Sequence, residues 1–174
     1  MRIPSAAHLT VFLSLTAIFL MSAPVVDARA EENLISYKSM SLDLALKAAK
    51  SALQTCRDQG YQVSVAVIER GGATQVVIRD QLAGIFTPDI AIRKAKTALN
   101  FRTDTSNLVE PTMNGRPTSG LRDFPEALFL GGGVKIEAAG EGVGAIGVSG
   151  APGPELDEAC AKAGIESIRD ILDF

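Results

Sequence analysis

Three glycines near the end of the chain, Gly142, Gly144 and Gly147 in "GEGVGAIGVSGAPGPELDEA", carry the G-x-G-x-x-G spacing with which a strand-to-helix turn cradles a dinucleotide pyrophosphate. That chemistry needs a helix to begin inside the motif, so that free backbone amides meet the phosphates. Ala145, Ile146 and Val148 instead continue a strand through the glycines, and a helix opens only near Pro154. The pattern predicts a turn at residues 140–142 and a strand in which Gly144 and Gly147 permit close packing. The segment "SGAPGPE" that follows sets amides ahead of a helix. Pro152 and Pro154 lack donors there and Glu155 and Asp157 repel an anion, which favours a tight connection with an acidic first turn.

The supply of nucleophiles and metal ligands is short. The single histidine is His8. It lies in a stretch with the three parts of a secretory signal: Arg2, an apolar run over residues 9–21, and Ala28-Arg29-Ala30 ahead of a cut. The run is shorter than the ~20 residues that a spanning helix requires. The expectation is a signal peptide over residues 1–30 and a domain over residues 31–174. The product would be periplasmic or secreted, with no membrane attachment after signal removal. Such a chain has no histidine for a Ser-His-Asp triad, a Cys-His pair or a histidine-held metal. Cys56 and Cys160 are left, either paired in an oxidising compartment or buried as small hydrophobes; their spacing in sequence leaves both open. The net charge of −3 argues against a nucleic-acid partner, which needs a basic footprint.

These residues must be positioned by a small set of elements. A short lead includes an expected strand over residues 34–38. Ser41 reads as an N-cap, and Leu42, Ala45, Leu46, Ala49, Leu53 and Cys56 recur at helical spacing until Gly60. "VSVAVIER", Gly71-Gly72 and "TQVVIRD" predict an antiparallel hairpin. Thr87 as cap, Pro88 in the first turn and Asp89 predict a second helix, whose Ala91, Ala95 and Ala98 make a narrow face able to lie close to a sheet or helix. Residues 103–125 read as a long irregular loop. "LFLGGGVKIEAAGEGVGAIGVSG" predicts three strands, and a last helix buries Leu156, Ala159, Cys160 and Ala163. The order (β)-α-β-β-α-loop-β-β-β-α predicts a single α/β domain with a mainly antiparallel central sheet packed by helices.

In this order "SLDLALKAAKSAL", "VSVAVIERGGATQVVIRD", "TPDIAIRKAKTALNF", "LGGGVKI" and "GVGAIGVSGAPGPELDEACAKAGI" resemble the HbpS/GlcG-type family, over about residues 40–172. These are small haem-binding or haem-degradation-associated domains. The resemblance implies a central antiparallel sheet, a homo-oligomer and haem as cofactor. Haem needs apolar walls, cations for its propionates and an iron ligand. Phe86, Phe101 and Phe124 are candidates for the first. Arg93, Lys94, Lys96, Arg102, Arg116 and Arg122 are candidates for the second, although a solvated basic face is the plainer reading of any one of them. Without histidine the ligand comes from Met40, Met113, Tyr37, Tyr61 or the cysteines, or from a threonine oxygen such as Thr87, Thr103, Thr105 or Thr112. Met113 is the selected candidate, because a methionine in a polar loop has no evident core role. The alternative function is a small organic-acid (glycolate-type) binding or assembly module, with Arg93, Arg102 or Arg116 clamping the carboxylate. Glu69, Asp80 and Asp123 are the carboxylates an enzyme would use, and none is assigned a catalytic role.

Overall fold

The hydroxyl of Ser41 accepts a hydrogen bond from the Leu44 amide at 3.3 Å and opens α1 (Leu42–Asp58). The structure, a computed structural model, describes residues 33–173. The signal-peptide expectation for residues 1–30 lies outside the described residues. Residues 33–36 fall outside the compact unit that starts at Tyr37. After α1 come β1 (Ser64–Glu69), β2 (Thr74–Arg79) and α2 (Thr87–Phe101). A short α3 (Ser106–Val109) and a 3-10 turn (Ser119–Asp123) lead to β3 (Gly133–Ala138) and β4 (Glu141–Ser149). Helices α4 (Pro154–Glu166) and α5 (Arg169–Leu172) end the described chain.

The four strands form one antiparallel sheet in the order β2-β1-β4-β3. Two hairpins are thus joined through their inner strands, β1 and β4, which pair from Ser64↔Ser149 to Glu69↔Gly144. This is the expected fold class. Side-chain alternation along the inner strands divides the two faces. Val65, Val67, Ile146 and Val148 join the larger core under α1 and α4, with Ala45, Ala48, Ala49, Ala52 and Cys56. Ile68 and Ala145 turn the other way, onto Ala95 and Ala98 of α2. Helix α1 is tied to α4 by a Cys56–Cys160 disulfide, with 5.6 Å between the Cα atoms.

Helix α2 lies against the sheet almost backbone to backbone. A Cβ at Gly147 would run into the Ala91 carbonyl oxygen and sit 2.8 Å from the Ala95 nitrogen. A Cβ at Gly133 would strike the Lys94 carbonyl. The alanine face therefore packs on a sheet, and the three motif glycines all lie in β4, with no helix beginning inside the motif. Gly164 does the same work between helices, its missing Cβ leaving room for the Ala48 carbonyl of α1.

Four expectations are corrected. No strand forms over residues 34–38. Residues 128–130 form none either, because α2 side chains take the backbone groups a ladder would use: Leu128 N–H donates to Thr97 Oγ1 at 2.8 Å and Arg93 donates to the Ala127 carbonyl at 2.9 Å. Thr87 is not a cap. Phe86 holds that position, and the Thr87 hydroxyl bonds the Gly84 carbonyl and Ser64 Oγ, each at 2.7 Å. The last helix buries Asp157, Cys160, Ala161 and Gly164, leaving Ala159 exposed. The loop over residues 103–125 contains α3 and the 3-10 turn, and is pinned where Arg122 donates to the Thr112 and Val109 carbonyls.

Gly147→Ala is expected to lower stability by about 3 kcal/mol, from overpacking against immovable backbone. Gly142→Ala, at a position with nothing within 4 Å, should stay within about 0.5 kcal/mol of wild type. Urea midpoints that coincide for the two variants would contradict this account of the α2–β4 contact.

Candidate functional site

Because β1 ends and β4 begins at the same edge of their pairing, both hairpin turns lie at one end of the sheet. The first turn is shaped by Glu69, whose carboxylate accepts the Gly71 amide at 2.7 Å and the Ala73 amide at 2.9 Å. These two bonds hold its carboxyl below the ordinary range. The second turn is the two-residue link Ala139-Gly140, both at positive φ, as a tight hairpin with right-handed twist requires. Helix α2 ends beside them. Its cap, Arg102, is left-handed at φ 53°, a conformation that costs a non-glycine residue about 1 kcal/mol.

Between these three features lies an open cleft of about 750 Å³, lined by Arg70, Lys96, Arg102 and Lys135, with Asn100, Leu99, Glu137 and Glu141. Arg70 is paired with Glu141 at 3.2 Å and Lys135 with Glu137 at 2.7 Å. The side chains of Lys96 and Arg102 have no partner among the described residues. An arrangement of four cations, two of them unpaired, can receive a carboxylate or another anion. A second recess of about 330 Å³, lined by Ser106, Val109, Glu158 and Lys162 among others, contains none of the haem-contacting candidates named from the sequence.

Of those residues, the structure brings Lys96 and Arg102 together. It disperses the others. Phe86 is exposed before α2. Phe101 is half-buried, edge-on to Phe129 at 5.5 Å, and Arg122 lies over Phe129 at 5.9 Å. Phe124 is exposed. Arg93 is anchored to the Ala127 carbonyl, its Nε buried without a partner. Thr105 is buried and exchanges hydrogen bonds with Gly133. Met113 is exposed in the loop, and Arg116 pairs with Glu110 on the surface. Among the described residues no group of three or more histidine, cysteine, aspartate or glutamate side chains converges to hold a metal ion. No described helix is long and apolar enough to cross a membrane.

Lys94 has a different task. It is buried, and its ammonium donates to Asp157 Oδ2 at 2.7 Å and to the Val148 carbonyl at 3.0 Å. Burial pushes Lys94 down and Asp157 up, while their mutual attraction opposes both shifts. Asp157 also accepts the Ala151 amide at 2.9 Å. The anion held by "SGAPGPE" is thus the chain's own carboxylate.

Arg70, Lys135, Asn100, Glu137 and Glu141 were not legible as one site. They lie on three separate segments, and only the pairing of β1 with β4 assembles them. The family profile described as "Haem degrading protein HbpS-like" matches residues 40–166, a span that includes every element from α1 to α4. The chain belongs to the HbpS-like family. HbpS itself, in its crystal structure, is 37% identical, with a TM-score of 0.73 over 82% of this chain and 96% of that one. A double mutant of HbpS from Streptomyces reticuli is 38% identical, with a TM-score of 0.74 over 88% and 99%. A PduOC:haem complex, 24% identical over 75% of this chain and 95% of that one, shares the fold at a TM-score of 0.71. The match to the HbpS-like profile covers both the cleft and the buried Lys94–Asp157 pair.

Lys94→Met leaves a carboxylate buried without its cation and is expected to cost about 3–5 kcal/mol. The double variant Lys94→Met/Asp157→Leu should recover about half of that loss, as coupled neighbours do. Denaturation of the four proteins in a double-mutant cycle measures it, and strictly additive losses would refute the coupling.

Proposed function

We propose that the protein is an exported haem- or tetrapyrrole-binding protein of the HbpS type, serving haem scavenging or sensing, whose cleft receives the carboxylates of the ligand. The observation that carries this reading is the convergence of unpaired Lys96 and Arg102 with Arg70 and Lys135 around one opening. The family description and the haem complex of PduOC support haem as the ligand class. The Cys56–Cys160 disulfide supports export, since such bonds persist in oxidising compartments. Exposed Leu82, Ile85 and Phe86 ahead of α2 support a homo-oligomer that covers them.

The residues fit haem at its propionate edge, where cations are offered to two carboxylates. They are sparser at its apolar face, since Leu99 is the one large apolar side chain lining the cleft. That polarity favours the second reading, a small organic acid of the glycolate type, bound by the same cations.

A haemin titration separates the readings. Wild type should show a saturable Soret shift at micromolar haem. Lys96→Ala/Arg102→Ala should bind about 10–100-fold more weakly, one charge-assisted bond being worth about 1.5 kcal/mol or more. A flat haem titration together with a thermal shift from a glycolate-type acid would transfer the site to the second reading.

A further inference from the structure

The charges that line the cleft do not cancel. They are four cations and two carboxylates, a surplus of two positive charges. Arg70 is committed to Glu141 at 3.2 Å and rests on the Tyr37 ring at 5.0 Å, and Lys135 is committed to Glu137 at 2.7 Å. Glu69, at the base of the first turn, is engaged by the Gly71 and Ala73 amides. The surplus therefore resides on Lys96 and Arg102, both exposed. The rest of the wall is Asn100, Leu99 and glycine backbone. A lining with one large apolar side chain suits a small hydrophilic ligand, not an extended apolar one.

Lys96 and Asn100 are one helical turn apart, so they share a side of α2. Arg102 follows as the cap of that helix. The end of α2 thus offers the cleft an ammonium, an amide and a guanidinium, in that order along the chain. No side chain among the described residues bonds to the Asn100 amide, which carries both a donor and an acceptor. Gly142, also in the lining, pairs with Glu137 and shares its face of the sheet, and a Cβ there would meet nothing within 4 Å. Bare backbone on that wall leaves room for a ligand to lie along the helix end. Two carboxylates joined through a carbon that bears a hydroxyl match the three groups. One carboxylate meets Lys96, the other meets the guanidinium fork of Arg102, and the hydroxyl meets Asn100. A monocarboxylate leaves one of the two cations unanswered.

Resting on the organic-acid reading above, we infer that the cleft selects a small dianion, a hydroxydicarboxylate, over a monocarboxylate. Isothermal titration of the purified protein with malate, succinate and glycolate measures this. Malate should bind about tenfold or more tighter than glycolate, the worth of one further charge-assisted contact, and about fivefold tighter than succinate, which lacks the hydroxyl. Arg102→Gly suits the left-handed cap and removes only the guanidinium, so it separates binding from folding. Its melting temperature should equal or exceed that of wild type, while its malate affinity falls about tenfold, to the level of glycolate. Asn100→Ala should bind malate and succinate alike. Glycolate that binds as tightly as malate, or an Arg102→Gly variant that binds malate like wild type, overturns the dianion and leaves the organic-acid reading standing. Malate and succinate bound equally by wild type overturns the hydroxyl contact. A flat titration with all three acids overturns both the inference and the reading beneath it.

Discussion

The approach of α2 to the inner strands is the constraint on which the rest depends. Main chain meets main chain where Gly147 faces Ala91 and Ala95, and where Gly133 faces the Lys94 carbonyl. Such a contact tolerates no intervening side chain, so it fixes the height of the helix above the sheet to within a few tenths of an ångström. Density of this kind makes a core responsive to a single methyl group. It also divides the labour of the two faces. One carries valine and isoleucine, and supplies most of the buried apolar area beneath α1 and α4. The other carries alanine and glycine around a single buried isoleucine, Ile68, and supplies position more than burial.

Once α2 is set at that height, Lys94 has nowhere to send its ammonium except between β4 and α4. There the Val148 carbonyl and Asp157 receive it. A buried pair of this sort adds little net stability, because desolvation offsets the attraction. It acts instead as a key. With Asp157 also holding the Ala151 amide, one carboxylate fixes the turn after β4, the start of α4 and the middle of α2. The disulfide fastens the other side of α4 to α1. Loop-entropy arguments place the contribution of so long a closure at about 4–5 kcal/mol. The layers are thus joined by one polar and one covalent cross-link, in a fold whose second core is small.

Local chemistry that decides an element from within itself was readable in advance. Ser41 caps α1, Gly71 and Gly72 mark the first hairpin, and the run from Val143 to Ser149 is a strand despite its nucleotide-like glycines. Two of the failures share one cause, competition from a residue distant in the chain. Residues 128–130 have strand-like composition, but Thr97 and Arg93 take their backbone groups. The buried face of α4 turns from the predicted one because Asp157 must reach Lys94, and Gly164 must reach α1. The cysteines were open in the same sense until α1 and α4 were set side by side. For the site, residue type was informative and neighbourhood was not. Six cations clustered in sequence around α2 and its loop, yet helical geometry separates Lys96 and Arg102 from buried Lys94 and anchored Arg93.

The location of the cleft follows from the same constraint. The alanine face of α2 is committed to the sheet, so the cleft takes its polar side chains from the other faces of the helix, Lys96 and Asn100, and from its cap, Arg102. Two hairpin turns reach that end because β1 and β4 are antiparallel neighbours, and each brings a cation already steered by a carboxylate, Arg70 by Glu141 and Lys135 by Glu137. Lys96 and Arg102 come from the helix without such a restraint. A cleft made from one helix end and two tight turns is held in position by the fold, and none of its four cations belongs to the core. Arg102 illustrates the division. Its backbone takes the left-handed conformation that ends α2, and its N–H satisfies the Ala98 and Leu99 carbonyls. A glycine would serve that backbone at lower cost. An arginine there adds nothing to the cap, and what it supplies instead is an unpaired guanidinium offered to the cleft.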